Sequence, residues 1–230
     1  MKVTELILKV YLIKDISYQD SLSSIAKIVD KSLLREEAYA NFHEKNTYKN
    51  YVYTSLYPLE KTKIYRAGKI YTIQLRTVDE NLANYFQRNL VNEYSDEIKV
   101  LTIDKKIIPQ RYIEKIYSIT PAVAKFPNGY WRKNETLESY EKRLKENLIK
   151  KYNKFFNETI NEEFEFITFL NFENMKPISM NYKNIRMLGD KLTVNIAENS
   201  MAQELAHFAL GAGILEMNSR GYGFVNYKWL

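Results

Sequence analysis

Two rounds of one element order, β-α-β-β-α-β, predict an α+β fold made of two tandem split βαβ units packed together. Three observations carry that prediction. Runs rich in Val, Ile, Tyr and Thr alternate with stretches whose apolar residues recur every three or four positions. Turn signals punctuate them, at Ala67-Gly68 and at Pro127-Asn128-Gly129. No low-complexity linker interrupts the 230 residues, so two halves meeting near Ile108-Pro109-Gln110, 1–108 and 109–230, are expected to pack against each other. Units of this order are ferredoxin-like, or RRM-like.

In the first half, residues 3–13 (VTELILKVYLI) read as a strand. Ser17–Lys31 follows as a helix, because Leu22, Ile25, Ala26, Val29 and Leu33 share one face, and a short second helical stretch reaches about Tyr39. Residues 48–60 and 63–79 are β-rich, the second turning at Gly68. Asn81–Tyr94 is predicted helical through Leu82, Tyr85, Phe86 and Leu90, and Ile98–Ile108 closes the unit as a strand. The second half repeats the order more loosely. A strand lies within 111–125. A long helix spans 137–157, with Tyr140, Leu144, Leu148, Tyr152 and Phe155 on one stripe. Residues 164–172, 178–187 and 191–197 are β-rich. A short helix covers 203–210, capped from Asn199 or Ser200, and a strand covers 221–229.

Composition narrows the function classes. Apolar residues make up 45% and charged residues 27%, the balance of a globular chain. Charges recur through the first fifteen residues and no apolar run approaches about 18 residues, so a membrane span is not expected and a cytoplasmic protein is. There is no cysteine, and His43 and His207 are the only histidines, which leaves no set for a zinc site. No metal and no cofactor is expected. The net charge of +6 suits a polyanionic partner.

Four of the seven glycines, Gly211, Gly213, Gly221 and Gly223, fall in the last 21 residues, LGAGILEMNSRGYGFVNYKWL. A dinucleotide loop would need a third glycine at Glu216 and a strand before it, and no G-K-[ST] phosphate loop exists. Helix capping and turns account for two such glycines. Four, with Asn218-Ser219-Arg220 between the pairs, imply in addition a place where bare backbone approaches a phosphate chain.

This pattern, Gly211-x-Gly213, Asn218-Ser219, Gly221-Tyr222-Gly223-Phe224, resembles the C-terminal glycine-rich signature of the CRISPR repeat-RNA processing endoribonucleases, members of the RAMP superfamily. The segment from His43 is similar to that family too, with a histidine after the first helix, a strand ending in Ser-Leu, and a lysine, Lys49, six residues on. The resemblance implies two ferredoxin-like domains and metal-independent cleavage of CRISPR repeat RNA. RNA supplies its own nucleophile, the 2′-OH, so the protein must provide proton transfer and positive charge. An imidazole can give or take a proton near neutral pH, which makes His43 the candidate base or acid. Lys49 is the candidate charge, and Tyr39 or Tyr48 a third group, because the tyrosine usual in that family has no clear counterpart here. The candidate RNA contacts are the four glycines, Asn218, Ser219, Arg220, and the basic cluster Lys61, Lys63 and Arg66. His207, within AHFALGAG, reads as a partly buried helix residue. The alternative is a RAMP subunit that holds repeat RNA without cutting it, inside a larger CRISPR effector complex. Monomer and homodimer both stay open.

Overall fold

The computed structural model describes residues 1–230. The first half runs β1 (Val3–Leu12), β2 (Ile16–Ser17), α1 (Ser21–Leu33), α2 (Glu37–Glu44), β3 (Tyr51–Tyr53), β4 (Ile64–Tyr65), β5 (Ile70–Thr77), α3 (Glu80–Asn89) and β6 (Ile98–Ile108). Its four-stranded sheet has the order β3-β5-β1-β6, with every pair antiparallel. The second half runs β7 (Ile113–Ser118), α4 (Leu137–Phe156), β8 (Ile167–Phe172), β9 (Ile178–Tyr182), β10 (Ile185–Gly189), β11 (Leu192–Ile196), α5 (Ser200–Ala212) and β12 (Val225–Trp229). Its sheet order is β12-β7-β11-β8. In each half the first and third strands of the motif sit side by side at the centre. Both are therefore ferredoxin-like, and the fold class is the expected one.

The helical periodicities hold because each apolar stripe has a sheet to cover. Leu6, Leu8, Val10 and Leu12 of β1 are buried with Leu22, Ile25 and Val29 of α1 and with Tyr85 and Phe86 of α3. Fully burying one such side chain contributes about 1.5–3 kcal/mol. Side-chain caps start three helices. Asp79 accepts from the Leu82 N–H at 3.1 Å, Thr136 from Ser139 at 3.2 Å, and Asn199 from Ala202 at 2.9 Å.

Some expectations need correction. The β-rich run 48–60 yields only three residues of strand, β3. The arm Ile64–Tyr65 does not pair with β5 as a hairpin would; it pairs with Ile16–Ser17 of β2 instead. The Gly68 turn, at φ +79°, donates its N–H to Leu12 and so folds that arm over the end of β1. Residues 178–189 are two strands, β9 and β10, turning at Lys183 with φ +51°. This hairpin is inserted between the second and third strands of the second motif. The helix expected over 81–94 stops at Asn89, and the one expected over 203–210 runs on through Ala212.

The two halves share core. Val3, Val78 and Ile108 pack into the core of the second half, while Val123, Met180 and Tyr222 pack into that of the first. Arg76 of β5 makes the polar join. It pairs with buried Glu5 at 2.5 Å, donates to the Val225 carbonyl and to Asn226 Oδ1 at 2.7 Å each, and lies 4.4 Å from the centre of the Phe224 ring. Burial alone would raise the Glu5 carboxyl, but Arg76 and Lys106 hold it below its usual value. No helix is long and apolar enough to cross a membrane.

His207 is buried in α5, more fully than the sequence implies, and neither ring nitrogen has a hydrogen-bond partner. Burial, and then the nearby N-terminal ammonium, push it down to about 4 against Glu204. An unfolded chain, with a histidine near 6.5, binds a proton there first. The contribution of neutral His207 is thus complete above about pH 6.5 and is lost as pH falls toward 4, by up to about 3 kcal/mol. His207→Leu should flatten the pH dependence of urea stability across that window. Parallel curves for the two proteins would show that the acid lability lies elsewhere.

Candidate active site

His43 follows the first helix, as expected. It sits in the last turn of α2, its side chain 20% exposed. The chain then doubles back, and the Lys49 ammonium folds onto the end of that helix. It donates to the carbonyls of Phe42, His43 (3.1 Å) and Lys45 (2.7 Å) and stands 4.5 Å from the centre of the Phe42 ring. Lys49 therefore caps α2, and its charge is fixed beside the histidine backbone. Burial, and then Arg220, hold this ammonium below its usual value, with Asp30 opposing. Tyr39, one turn before His43, stacks on Tyr85 with ring centres 3.7 Å apart. Tyr48 is exposed.

The glycine loop meets this region from the other half. Arg220 forms an ion pair with Asp30 of α1, and the other oxygen of Asp30 lies 3.6 Å from Nδ1 of His43. Burial works against the Arg220 guanidinium, but Asp30 more than offsets it and raises the group above its usual value. Between the two segments lies a pocket of about 210 Å³, lined by Thr47, Tyr48 and Lys49 on one side and by Met217, Asn218 and Ser219 on the other.

The glycines themselves need a different account from bare backbone facing phosphate. All four are buried. A Cβ at Gly211 would stand 2.7 Å from Val78, and at Gly221, where φ is +83°, 2.6 Å from the Tyr53 ring. The N–H groups of Gly213, Gly221 and Gly223 donate to Ala209, Asn218 and Pro121. These glycines let the loop close on itself and on the first half. Gly213, not Gly211, ends α5. Asn218 is likewise turned inward, donating to the Ile214 and Tyr222 carbonyls at 2.8 and 2.9 Å.

Sequence reasoning missed what clamps this loop. Lys151 of α4 is buried, and its ammonium donates to the Gly213 carbonyl (3.0 Å), the Leu215 carbonyl (2.6 Å) and Asn218 Oδ1 (2.6 Å). All three of its protons are used. Burial pushes it down to about 7, with Glu216 opposing. Also unforeseen is a cleft of about 580 Å³ between the halves, bounded by Ile7, Tyr57 and Gln74 on one side and Ile119, Lys191 and Asn226 on the other. Lys61, Lys63 and Arg66 do not line the pocket at the loop. Lys63 borders a separate depression beside Ile178 and Ser179, and Arg66 pairs with Asp15 at 2.7 Å. No three His, Asp or Glu side chains gather into a metal-ligand set.

Fold and junction together define a class: two tandem ferredoxin-like halves, with a histidine helix of the first held against a glycine-rich loop of the second. A family profile described as CRISPR associated protein Cas6, C-terminal, matches residues 108–227, more than half of the chain. The chain belongs to this family.

Solved structures share the fold over nearly its whole length. One described as CRISPR associated protein Cas6 is 20% identical, with a TM-score of 0.67 over 98% of this chain and 99% of that one. A RAMP protein described as binding different RNA substrates is 14% identical, with a TM-score of 0.71 over 98% and 99%. The product of a Cas6-related gene from Pyrococcus furiosus is 14% identical, with a TM-score of 0.67 over 98% of each chain. No curated protein matches the chain in sequence.

Proposed function

We propose that this protein is a metal-independent endoribonuclease that cuts CRISPR repeat RNA to make guide RNAs. The observation that carries this reading is the junction, where the accessible histidine of the chain stands against the glycine loop of the other half through Asp30. The 2′-oxygen attacks the adjacent phosphorus while the bond to the 5′-oxygen breaks. The products are a 2′,3′-cyclic phosphate and a 5′-hydroxyl. One proton leaves the 2′-OH and one reaches the leaving oxygen, and His43 handles one of these transfers. Positive charge from Arg220 and Lys49 lies beside the phosphate. Tyr48, exposed at the pocket, is the better third group, since the ring of Tyr39 is committed to Tyr85.

RNA contacts fall to Ser219 and Arg220, with Lys61, Lys63 and Arg66 as more distant phosphate contacts and the glycines and Asn218 shaping the loop. The domains are 1–108 and 109–230, the partner is repeat RNA, with other CRISPR subunits as further candidates, and the compartment is the cytoplasm. One observation favours the second reading, a subunit that holds repeat RNA without cutting it: the donors of Lys49 are all directed at carbonyls.

Cleavage separates the two readings. Repeat RNA should be cut in the presence of EDTA, leaving a cyclic phosphate visible by mass spectrometry. A single 2′-deoxy nucleotide just upstream of the cut should block the reaction. Cleavage that stops on chelation, or that persists on the deoxy substrate, would rule out this mechanism. Binding without any cleavage would leave the second reading.

A further inference from the structure

Asp30 belongs to no motif, yet it is the point where the two halves meet at the histidine. Its Oδ2 takes the Arg220 guanidinium. Its Oδ1 is buried, has no hydrogen-bond partner, and lies 3.6 Å from His43 Nδ1. A buried acceptor left without a donor is unfavourable. Nδ1–H of His43 is the donor at hand, and a small rotation of the ring brings it into range. Arg220 meanwhile pins the carboxylate through its other oxygen, so the acceptor cannot turn away.

We propose that Asp30 is a positioning residue for His43: its carboxylate holds the neutral ring in the tautomer with hydrogen on Nδ1, which leaves the Nε2 lone pair for the RNA. In a neutral imidazole only one nitrogen carries the proton, and a fixed acceptor at one nitrogen decides which. The proposal rests on the reading of His43 as the proton-transfer group. It adds that Arg220 acts on the reaction through Asp30 as well as on RNA, so the placement of the glycine loop reaches the imidazole.

Two measurements test it, and they fail separately. The first uses nitrogen-15 chemical shifts of the two imidazoles at alkaline pH, where each ring is neutral, with His207→Leu assigning the signals. Wild-type protein should show His43 protonated on Nδ1. Asp30→Asn should shift it toward the Nε2–H form, while an unmoved His207 signal confirms that the core is folded. An Nε2–H ring in the wild type, or a tautomer indifferent to Asp30→Asn, overturns the proposal whatever the enzyme assay gives.

The second measurement is single-turnover cleavage. Asp30→Asn should slow it roughly 10²-fold, the lower end of the range for losing general acid–base catalysis, with RNA affinity changed less than about 3-fold. In a His43→Ala background the same change should add no further loss, because Asp30 acts through the ring. A multiplicative loss in the double variant would assign Asp30 a role apart from His43 and overturn the proposal. Absence of cleavage in the wild type, with the tautomer still held by Asp30, would remove the nuclease reading and leave the positioning intact.

Discussion

His43→Ala is expected to slow single-turnover cleavage of repeat RNA by ~10²–10⁴-fold, the usual worth of general acid–base catalysis, while RNA affinity stays within a few-fold of wild type. The expectation follows from how few groups could stand in. His207 is buried in the second core and held neutral, so it cannot reach a substrate. Tyr39 is stacked, and the three donors of Lys49 go to backbone carbonyls. Affinity should survive because Arg220 and the loop are held by Asp30, Lys151 and the chain itself rather than by the imidazole. Cleavage and filter binding, run on one preparation, give both numbers. A variant that cuts near the wild-type rate would place proton transfer on another group.

The second large effect concerns stability. Arg76→Ala should lower the unfolding free energy by about 3–5 kcal/mol, the cost of breaking a buried ion pair from one side. Glu5 would be left with Lys106 and the Gln74 amide, while the Val225 carbonyl and Asn226 would lose their donor. The same physics predicts that Glu5→Leu combined with Arg76→Met recovers much of the loss, since a matched apolar pair needs no partner charge. Urea denaturation followed by circular dichroism measures both. A cost below about 1 kcal/mol for Arg76→Ala would mean that water reaches the pair and that apolar contacts alone hold the halves together.

Periodicity made most of the fold legible. The stripes on α1, α3 and α4 point at sheets, and they read correctly because burial selects one residue type at every helical turn. Pairing was less visible. The arm Ile64–Tyr65 looks like half of a hairpin with β5, and its true partner, Ile16–Ser17, lies far away in sequence. The site divides in the same way. The loop stood out through its glycine content, and His43 and Lys49 became candidates through the family resemblance. Asp30 did not, because the residue that gives it meaning, Arg220, is 190 positions away. Lys151 sits in a helix with four other lysines, and only tertiary packing singles it out as the buried one. The glycines showed that the backbone there needs room, but not what fills it.

That last point bears on how such chains diverge. A Cβ at Gly223 would press within 2.2 Å of the Ile214 carbonyl, and one at Gly221 would strike both Leu22 and Tyr53 of the other half. Selection on these glycines acts through assembly, so a descendant that had lost its histidine and every trace of catalysis would still have to keep them. The glycine signature thus reports architecture rather than catalysis. Sorting relatives into cutters and holders must rely on the residues around His43.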